Sequence, residues 1–230
     1  MMMPDFPIAT CKLATPKGER LLRHFDTPMD RKTVKWVFGG DSYPLFTLNR
    51  KVTRIVDIGA NVGAAAIMFW MNYPEARIHC FEPSPETYGL LLQNTEDIPN
   101  IHRHNVAVDR KAGKGKLYHR SSCSVMDSMR MRETDDAPFT ECEVVSVLEY
   151  LPCDILKVDT EGLEFDILLS LRDKLPQVGV VYVEAHHRYD RMAIDQLLGY
   201  THALLYANVA TSNQIELAYV RDDWLVKEEK

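Results

Sequence analysis

The feature that most constrains this chain is a strand, a glycine turn and a helix start in direct succession at residues 54–66. The apolar run Ile55–Ile58, interrupted by one acid, predicts a short buried strand of the kind found inside a parallel sheet. Gly59 and Gly63 follow, and the small residues after them favour a helix start. Glycine lets the backbone approach a ligand closely, and a helix N-terminus offers it unpaired N–H groups. The succession predicts a nucleotide-type pocket at the carboxyl edge of an open α/β sheet.

A second strand ends in an acid at the spacing that such a pocket requires. Residues 77–82 predict a strand that ends in Glu82, about 20–25 residues after the glycine turn. In sheets of this kind, an acid at that place hydrogen-bonds the ribose hydroxyls of an adenosine ligand. The alternative is an ordinary αβα unit in which the glycine serves packing and Glu82 merely favours the start of the next helix.

Composition excludes several classes of protein. The 230 residues are 46% hydrophobic and 26% charged, as expected for one soluble α/β domain. The net charge of -6 argues against a nucleic-acid groove, which needs a basic face. No apolar run approaches the roughly 18–20 residues that span a bilayer, and the N-terminus lacks the pattern of a signal peptide. We therefore expect a cytoplasmic protein with no membrane partner.

The cysteines support the same compartment. Five are present, with no CxxC pair and no metal-like spacing, so we expect reduced thiols. They are Cys11, Cys80, Cys123, Cys142 and Cys153.

From residue 52 onward, strand and helix patterns alternate, which predicts right-handed βαβ crossovers and a doubly wound, mostly parallel sheet. The last two strands are expected to form an antiparallel pair at its edge. The predicted strands are 53–58, 77–82, 101–108, 154–159, 178–184, 201–206 and 215–220, and the predicted helices are 64–71, 86–94 and 191–198.

Two segments interrupt this alternation. Residues 1–50 are interpreted as a lid or cap, or as a packing extension, with a short strand at 35–38. In the first case, Asp41 or Tyr43 would reach the pocket. Residues 109–147 are interpreted as an insertion within a single domain that spans 51–230.

The pattern within the insertion is weaker. We expect a hairpin arm at 113–119, a charged edge cover at 130–142 and a short strand at 144–147.

Four motifs together resemble those of a known family. They are Val56–Gly63, Phe81–Pro83, Asn105–Val108 and Asp154–Glu164. The chain is similar over roughly residues 50–185 to the FkbM-type methyltransferases, within the seven-stranded class I S-adenosylmethionine-dependent enzymes. The Lys-x-Asp-x-Glu-Gly-x-Glu run that begins at Lys157 is the discriminating part, because glycine turns are shared by many nucleotide-binding folds.

The resemblance implies a cofactor site. Asp57, Gly59 and Gly63 would line the methionine and ribose side of S-adenosylmethionine. Glu82 would hold the ribose hydroxyls. The region of Ala107 would lie against the adenine.

Asn61 and Asp159 complete the implied set of cofactor-binding residues. Asn61 stands where many class I enzymes have a further glycine, and the narrower family is expected to have an Asn there. The family is associated with O-methylation of hydroxyls on sugars and natural products. This implies a small-molecule or glycan acceptor whose identity stays open, as does the oligomeric state.

Candidate catalytic residues follow from the reaction itself. Methyl transfer from a sulfonium is an in-line displacement, so the enzyme must hold the acceptor oxygen roughly 3 Å from the methyl carbon and help to remove its proton. Groups that follow strands four and five face one crevice in a doubly wound sheet. The residues in these places are Asp159, Glu161, Glu184, His186 and His187, and the first four are the candidate catalytic residues.

Each of these residues has a structural alternative. Asp159 either faces the cofactor and acceptor or accepts N–H bonds from the turn that follows it. Glu161 either binds acceptor hydroxyls or favours the next helix by its charge. His186 shares a face with Glu184 and titrates near pH 6.5 when unperturbed, which suits a base, but a solvated or core histidine is equally open. Glu164 is expected to be structural.

The same four residues offer ligands for a divalent metal, but no ligand spacing in the sequence supports one, so we favour a site without metal. A rival function is an NAD(P)-dependent oxidoreductase, although the turn lacks the full GxGxxG fingerprint of dinucleotide binding. Another is a non-catalytic binding protein with the same fold. The sequence favours an S-adenosylmethionine-dependent methyltransferase that yields S-adenosylhomocysteine.

Overall fold

The computed structural model describes residues 6–119, 127–130, 138–209, 211 and 214–226. In chain order the elements are β1 (Ile8–Thr15), β2 (Gly18–Phe25), α1 (Pro28–Gly39), β3 (Arg54–Ile58), α2 (Ala64–Asn72), β4 (Arg77–Phe81), α3 (Pro85–Thr95), β5 (Ile101–His104), β6 (Ala107–Val108), β7 (Gly113–Tyr118), β8 (Phe139–Val145), β9 (Ile155–Val158), α4 (Glu164–Ser170), β10 (Val180–Ala185), α5 (Arg188–Leu198), β11 (His202–Val209) and β12 (Ile215–Arg221).

The centre of the fold is a seven-stranded sheet in the order β11-β12-β10-β9-β3-β4-β5. The strands from β10 to β5 pair in parallel, whereas β12 pairs antiparallel with both β10 and β11. The predicted α/β class, the mostly parallel sheet and its antiparallel edge pair are therefore confirmed.

The alternation of side chains along the strands explains why helices cover both faces. Ile55 of β3 and Ile155 of β9 belong to the apolar cluster that contains buried residues of α1, α2 and α3. Val56 and Leu156, one position further along, belong to a second cluster with α4 and α5. Successive side chains of a strand point to opposite faces, so strands whose side chains are buried at successive positions need a layer on each side.

Residues 35–38 are helical, so the predicted short strand there is wrong. They lie in α1, which begins after Thr27, whose side chain accepts the N–H of Asp30, and which has Pro28 in its first turn. Gly40 ends the helix in a left-handed conformation. These start and stop signals outweigh the strand preference of the aromatic and branched residues between them.

The predicted third strand, 101–108, is in fact two strands in different sheets. β5 ends at His104, and β6 instead pairs with β8 in a small three-stranded sheet, β6-β8-β7. Between the two strands, the side chain of Asn105 donates hydrogen bonds to the carbonyls of Glu82 and Pro83, directly after β4.

The other two strands of the small sheet come from residues 109–147. The arm expected at 113–119 is β7, and the strand expected at 144–147 is the end of the longer β8. The predicted edge cover at 130–142 overlaps β8, and its residues 131–137 lie outside the described part of the chain.

The segment before β3 forms the β1–β2 hairpin, α1 and an extended stretch toward the sheet. None of the helices in the described residues combines the length and apolarity needed to cross a bilayer. Cys11, Cys80, Cys142 and Cys153 are free thiols, and Cys123 lies outside the described residues.

Candidate active site

A cavity of about 330 Å³ opens at the carboxyl ends of β3, β4, β9 and β10. The predicted site residues that line it are Gly59, Asn61, Glu82, Ala107, Asp159, Glu161, Glu184 and His186. Residues of α1, of the loop after it and of β7 complete the lining. The fold thus gathers residues as far apart in the sequence as His24 and Glu216 around one space, as expected at the carboxyl edge of such a sheet.

The glycine turn brings the backbone of β3 against that of β9. Gly59 has a φ of 75°, and a Cβ at this position would lie 1.7 Å from the carbonyl oxygen of Asp159. Gly63 has a φ of 89° and precedes α2 without a side-chain cap. Only glycine fits the first position, and the first turn of α2 keeps N–H groups that no side chain caps.

Glu82 is held by the backbone at both carboxylate oxygens. Oε2 accepts the N–H of Asn61 at 3.0 Å and Oε1 accepts the N–H of Ser84 at 2.9 Å. Burial raises the pKa of Glu82 to about 7, in opposition to these two hydrogen bonds. The carboxylate is therefore fixed in orientation at the cavity, and each oxygen keeps a lone pair for a further donor.

Asp57 was expected to face the cofactor, but it lies behind the turn and does not line the cavity. Its Oδ1 is 3.0 Å from Nζ of Lys157, whose side chain is 3% exposed, while that of Asp57 is fully buried. Lys157 also donates to the carbonyl of Gly59 at 2.8 Å. Burial raises the pKa of Asp57, and the pKa of Lys157 rises because Asp57 and Asp159 outweigh its burial. This ion pair ties the turn to β9.

Lys157 was not among the predicted site residues, although it lines the cavity. A signal for it was present, because a lysine within the otherwise apolar strand Ile155–Val158 needs a buried partner. What the sequence did not show was that the partner is Asp57.

The far end of the cavity is acidic. Glu184 and Glu216 are direct partners on the antiparallel strands β10 and β12, and Asp159, which directly follows β9, lines the same cavity. Gln214 donates to Glu184 at 2.5 Å and Ser42 donates to Glu216 at 2.7 Å. Burial, followed by the charge of Asp159, raises the pKa of Glu184 well above its usual value. Burial likewise raises the pKa of Glu216.

Tyr43 is the residue of the N-terminal segment that reaches this acidic end. Its hydroxyl donates to Oδ2 of Asp159 at 3.2 Å. Burial and the charge of Asp159 raise its pKa well above the usual value, so it stays a donor at neutral pH. The other candidate, Asp41, does not line the cavity, and its carbonyl accepts the hydroxyl of Tyr206.

His186 lies between two acids. Its Nδ1 is 3.2 Å from Oε1 of Glu164 and its Nε2 is 3.3 Å from Oε2 of Glu161. Burial opposes protonation, but the two carboxylates outweigh it and raise the pKa of His186 to about 12. The ring is therefore protonated at neutral pH in this arrangement, which does not meet the premise of a base that titrates near 6.5.

Glu164 organises the loop after β9. Its Oε1 also accepts the N–H groups of Thr160 and Gly162, and the residue is fully buried. The hydrogen bond with His186 lowers the pKa of Glu164 against the effect of burial. This agrees with the structural role expected for it.

Backbone strain is concentrated at the same cavity. Among the described residues, three that are not glycine have positive φ: Tyr43 at 54°, Asn61 at 50° and Glu161 at 59°. All three line the cavity. Such conformations cost of order 1–3 kcal/mol and cluster at ligand-binding positions, so their coincidence here supports a functional site.

Sequence and structure comparisons identify the family. The sequence model of the methyltransferase FkbM domain matches residues 57–207, which is more than half of the chain. The chain is 27% identical over 146 residues to Methyltransferase 1 of Beauveria bassiana, with 52% of this chain and 59% of that protein covered. It is 25% identical over 149 residues to the hexuronic acid methyltransferase AglP of Haloferax volcanii, with 62% and 59% covered.

The chain spans about three fifths of the length of these curated relatives. Among solved structures, the yhhF protein of Escherichia coli superposes with a TM-score of 0.50 at 15% identity, with 93% of this chain and 98% of that chain covered. That likeness concerns the fold alone. The match over 57–207 is decisive, and the chain belongs to the FkbM methyltransferase domain family.

Proposed function

We propose that the protein is an S-adenosylmethionine-dependent methyltransferase that methylates a hydroxyl group of a small molecule or glycan. The observation that supports this most directly is Glu82, a buried carboxylate held by two backbone N–H groups beside the glycine turn. Family membership supports the reaction class.

The residues at the turn fit the proposed cofactor. The two oxygens of Glu82 are placed to accept both ribose hydroxyls, and Asn61 adds strained backbone at the same point. Gly59 leaves the space that a Cβ would fill. Ala107, Val108 and Leu117 supply apolar surface on which the adenine can lie. When bound, the cofactor supplies a methyl group on a positively charged sulfur.

The acidic end of the cavity fits an acceptor hydroxyl. The carboxylate oxygens of Asp159, Glu161 and Glu184 can accept its hydrogen bond and its proton. Holding the acceptor oxygen within about 3 Å of the methyl carbon would supply the remaining lowering of the barrier. The ring of His186 then positions Glu161 by its charge.

The same acids indicate the charge of the acceptor. Although AglP is named for an acidic sugar, an acceptor here would meet Asp159, Glu184 and Glu216 without a nearby free cation among the described residues. When no metal is bound, these acids therefore favour an acceptor that is uncharged or positively charged next to the reacting hydroxyl.

We further propose that residues 1–50 are a cap over the acceptor end and that 109–147 is an insertion in the same domain. Met29 and Val37 of α1, and Tyr43 after it, line the cavity from one side, and Leu117 of β7 lines it from another. A cytoplasmic place of action stays a prediction.

Calorimetric titration with S-adenosylmethionine, S-adenosylhomocysteine and NAD tests the cofactor. We expect micromolar binding of the first two and none of NAD. Binding of NAD alone would favour the oxidoreductase. If none of the three compounds binds, a non-catalytic relative would be favoured.

The variant Glu184→Gln tests the acceptor end. We expect kcat to fall by about 10²–10³ while the affinity for S-adenosylhomocysteine stays within about twofold, because Glu184 lies away from Glu82 and the turn. An unchanged kcat would remove Glu184 from the proposed machinery.

A further inference from the structure

We propose that Asp159, Glu184 and His186 form a binding site for one divalent cation, of the Mn²⁺ or Mg²⁺ type, at the acceptor end of the cavity. The proposed role of the cation, to bind the acceptor oxygen, rests on the proposed function, whereas the binding of the metal does not. Sequence spacing did not favour a metal, because the three residues come from two different strand ends.

The first observation is geometric. One oxygen of each carboxylate and one ring nitrogen of His186 lie within 4.8 Å of one another. Two carboxylates and a neutral imidazole suit Mn²⁺, which takes oxygen and nitrogen ligands in octahedral geometry. The ring of His186 is protonated without metal, so binding of the cation would release the proton from its coordinating nitrogen. Three protein ligands would leave further positions for water and for an acceptor hydroxyl.

The second observation is the orientation of the histidine. Metal-binding histidines almost always donate their other ring N–H to a carboxylate or carbonyl, which fixes the ring. Here Nδ1 contacts Oε1 of Glu164, a fully buried acid that two backbone N–H groups also hold. Nε2 is thereby turned toward the acids, where its nearest acid is Glu161 at 3.3 Å.

The third observation is a like-charge pair whose neighbouring cations already contact other acids: His186 contacts Glu161 and Glu164. Glu184 and Glu216 stand directly opposite each other on β10 and β12, an arrangement that destabilises a sheet when both are charged. Glu216 is 8% exposed, lines the cavity and has an oxygen, Oε2, without a hydrogen-bond partner among the described residues. Lys157, which also lines the cavity, pairs with Asp57 at 3.0 Å and is 3.9 Å from Asp159. A divalent cation would supply the missing positive charge.

Titration of the metal-stripped protein with Mn²⁺, followed by electron paramagnetic resonance of the free ion, tests the site. We expect one Mn²⁺ per chain at micromolar concentration. Glu184→Gln should weaken this binding at least about tenfold, and Glu164→Gln, which removes only the orienting charge, should weaken it by about 10–100-fold. The matched control Glu96→Gln changes an exposed acid outside the cavity and should bind Mn²⁺ like the wild type.

Each outcome decides the proposal. No stoichiometric Mn²⁺ binding below about 1 mM, or equal binding by all four proteins, would overturn it and would favour carboxyl groups held by protons or by an amine of the acceptor. S-adenosylhomocysteine is titrated into the same proteins, which also shows that Glu184→Gln is folded. If Mn²⁺ binds and S-adenosylhomocysteine does not, the metal site stands and the proposed function fails.

The reverse result is equally informative. If S-adenosylhomocysteine binds to every variant while Mn²⁺ binds to none, the cofactor half of the proposed function stands and the metal site fails. Failure of Glu164→Gln to melt cooperatively leaves the decision to the wild type, Glu184→Gln and Glu96→Gln.

Discussion

Protonation of Glu82 should control the affinity for the cofactor. Burial raises the pKa of this carboxyl to about 7, whereas ribose hydroxyls donate their hydrogen bonds to the ionised form. A bound cofactor should therefore favour the ionised form of Glu82, and cofactor binding should become tighter as the pH rises through 7.

The size of the effect follows from the pKa. Below pH 7, each pH unit costs up to tenfold in affinity, so we expect a loss of roughly 30-fold, or about 2 kcal/mol, between pH 8 and pH 5.5. At pH 7, binding should release about half a proton.

Calorimetry with S-adenosylhomocysteine in buffers of different ionisation enthalpy measures both the affinity and the proton release. Glu82→Gln should bind more weakly at pH 8 and lose the pH dependence, because the amide does not titrate in this range. Glu96→Gln, which alters an exposed acid elsewhere, should keep it. A wild-type affinity that is flat with pH, or that rises in acid, would refute the reasoning.

The same carboxyl makes a separate prediction for stability. Its pKa in the folded state lies above the ordinary value of 4.5 for a glutamate, so the fold binds a proton that the unfolded chain releases. Stability should fall as the pH rises from about 4.5 through 7. Denaturant unfolding should show Glu82→Gln gaining roughly 2–3 kcal/mol relative to the wild type between pH 5 and pH 8. A difference that does not change with pH would contradict the shifted pKa.

Further predictions concern the turn and the ion pair behind it. Gly59→Ala should cost about 3 kcal/mol or more in the free energy of unfolding, since its Cβ would overlap the carbonyl of Asp159. Gly18→Ala, with φ of 108° and nothing within 4 Å, should cost only about 1–2 kcal/mol. Equal losses would contradict the steric argument. Lys157→Met should cost about 3–5 kcal/mol because it leaves Asp57 buried and unpaired, and adding Asp57→Asn should recover part of that. Denaturant unfolding measures both, and a double variant no better than Lys157→Met would refute the pairing.

The parts of the site that sequence predicted are those built by local chemistry. The strand, Gly59 and the helix start lie within a dozen residues, and each constrains the next through backbone geometry. Glu82 follows at a fixed distance because one crossover helix separates neighbouring strands. The site at the turn could therefore be placed before the fold was known.

The acidic end could not be placed in this way, because it depends on which strands become neighbours. Nothing near Glu184 in the sequence shows that β12 returns antiparallel and sets Glu216 opposite it. The pairing of Lys157 with Asp57 likewise needs the β3–β9 adjacency, in which the two are register partners. The prediction of a strand at 35–38 is wrong for a different reason, because the start and stop signals of α1 override the strand preference of these residues.

This difference between the two ends also bears on acceptor choice. Ser42, Tyr43, Gln214 and Glu216 all lie outside the residues that match the family, 57–207. Yet each of the first three donates a hydrogen bond to an acid of the acceptor end, and Glu216 is itself one of those acids. The residues proposed above to contact the ribose and adenine, from Gly59 to Leu117, all lie within the matched part of the chain, whereas the acceptor end is completed by segments on either side. Acceptor specificity can therefore change through those flanking segments without disturbing the turn that would hold the cofactor.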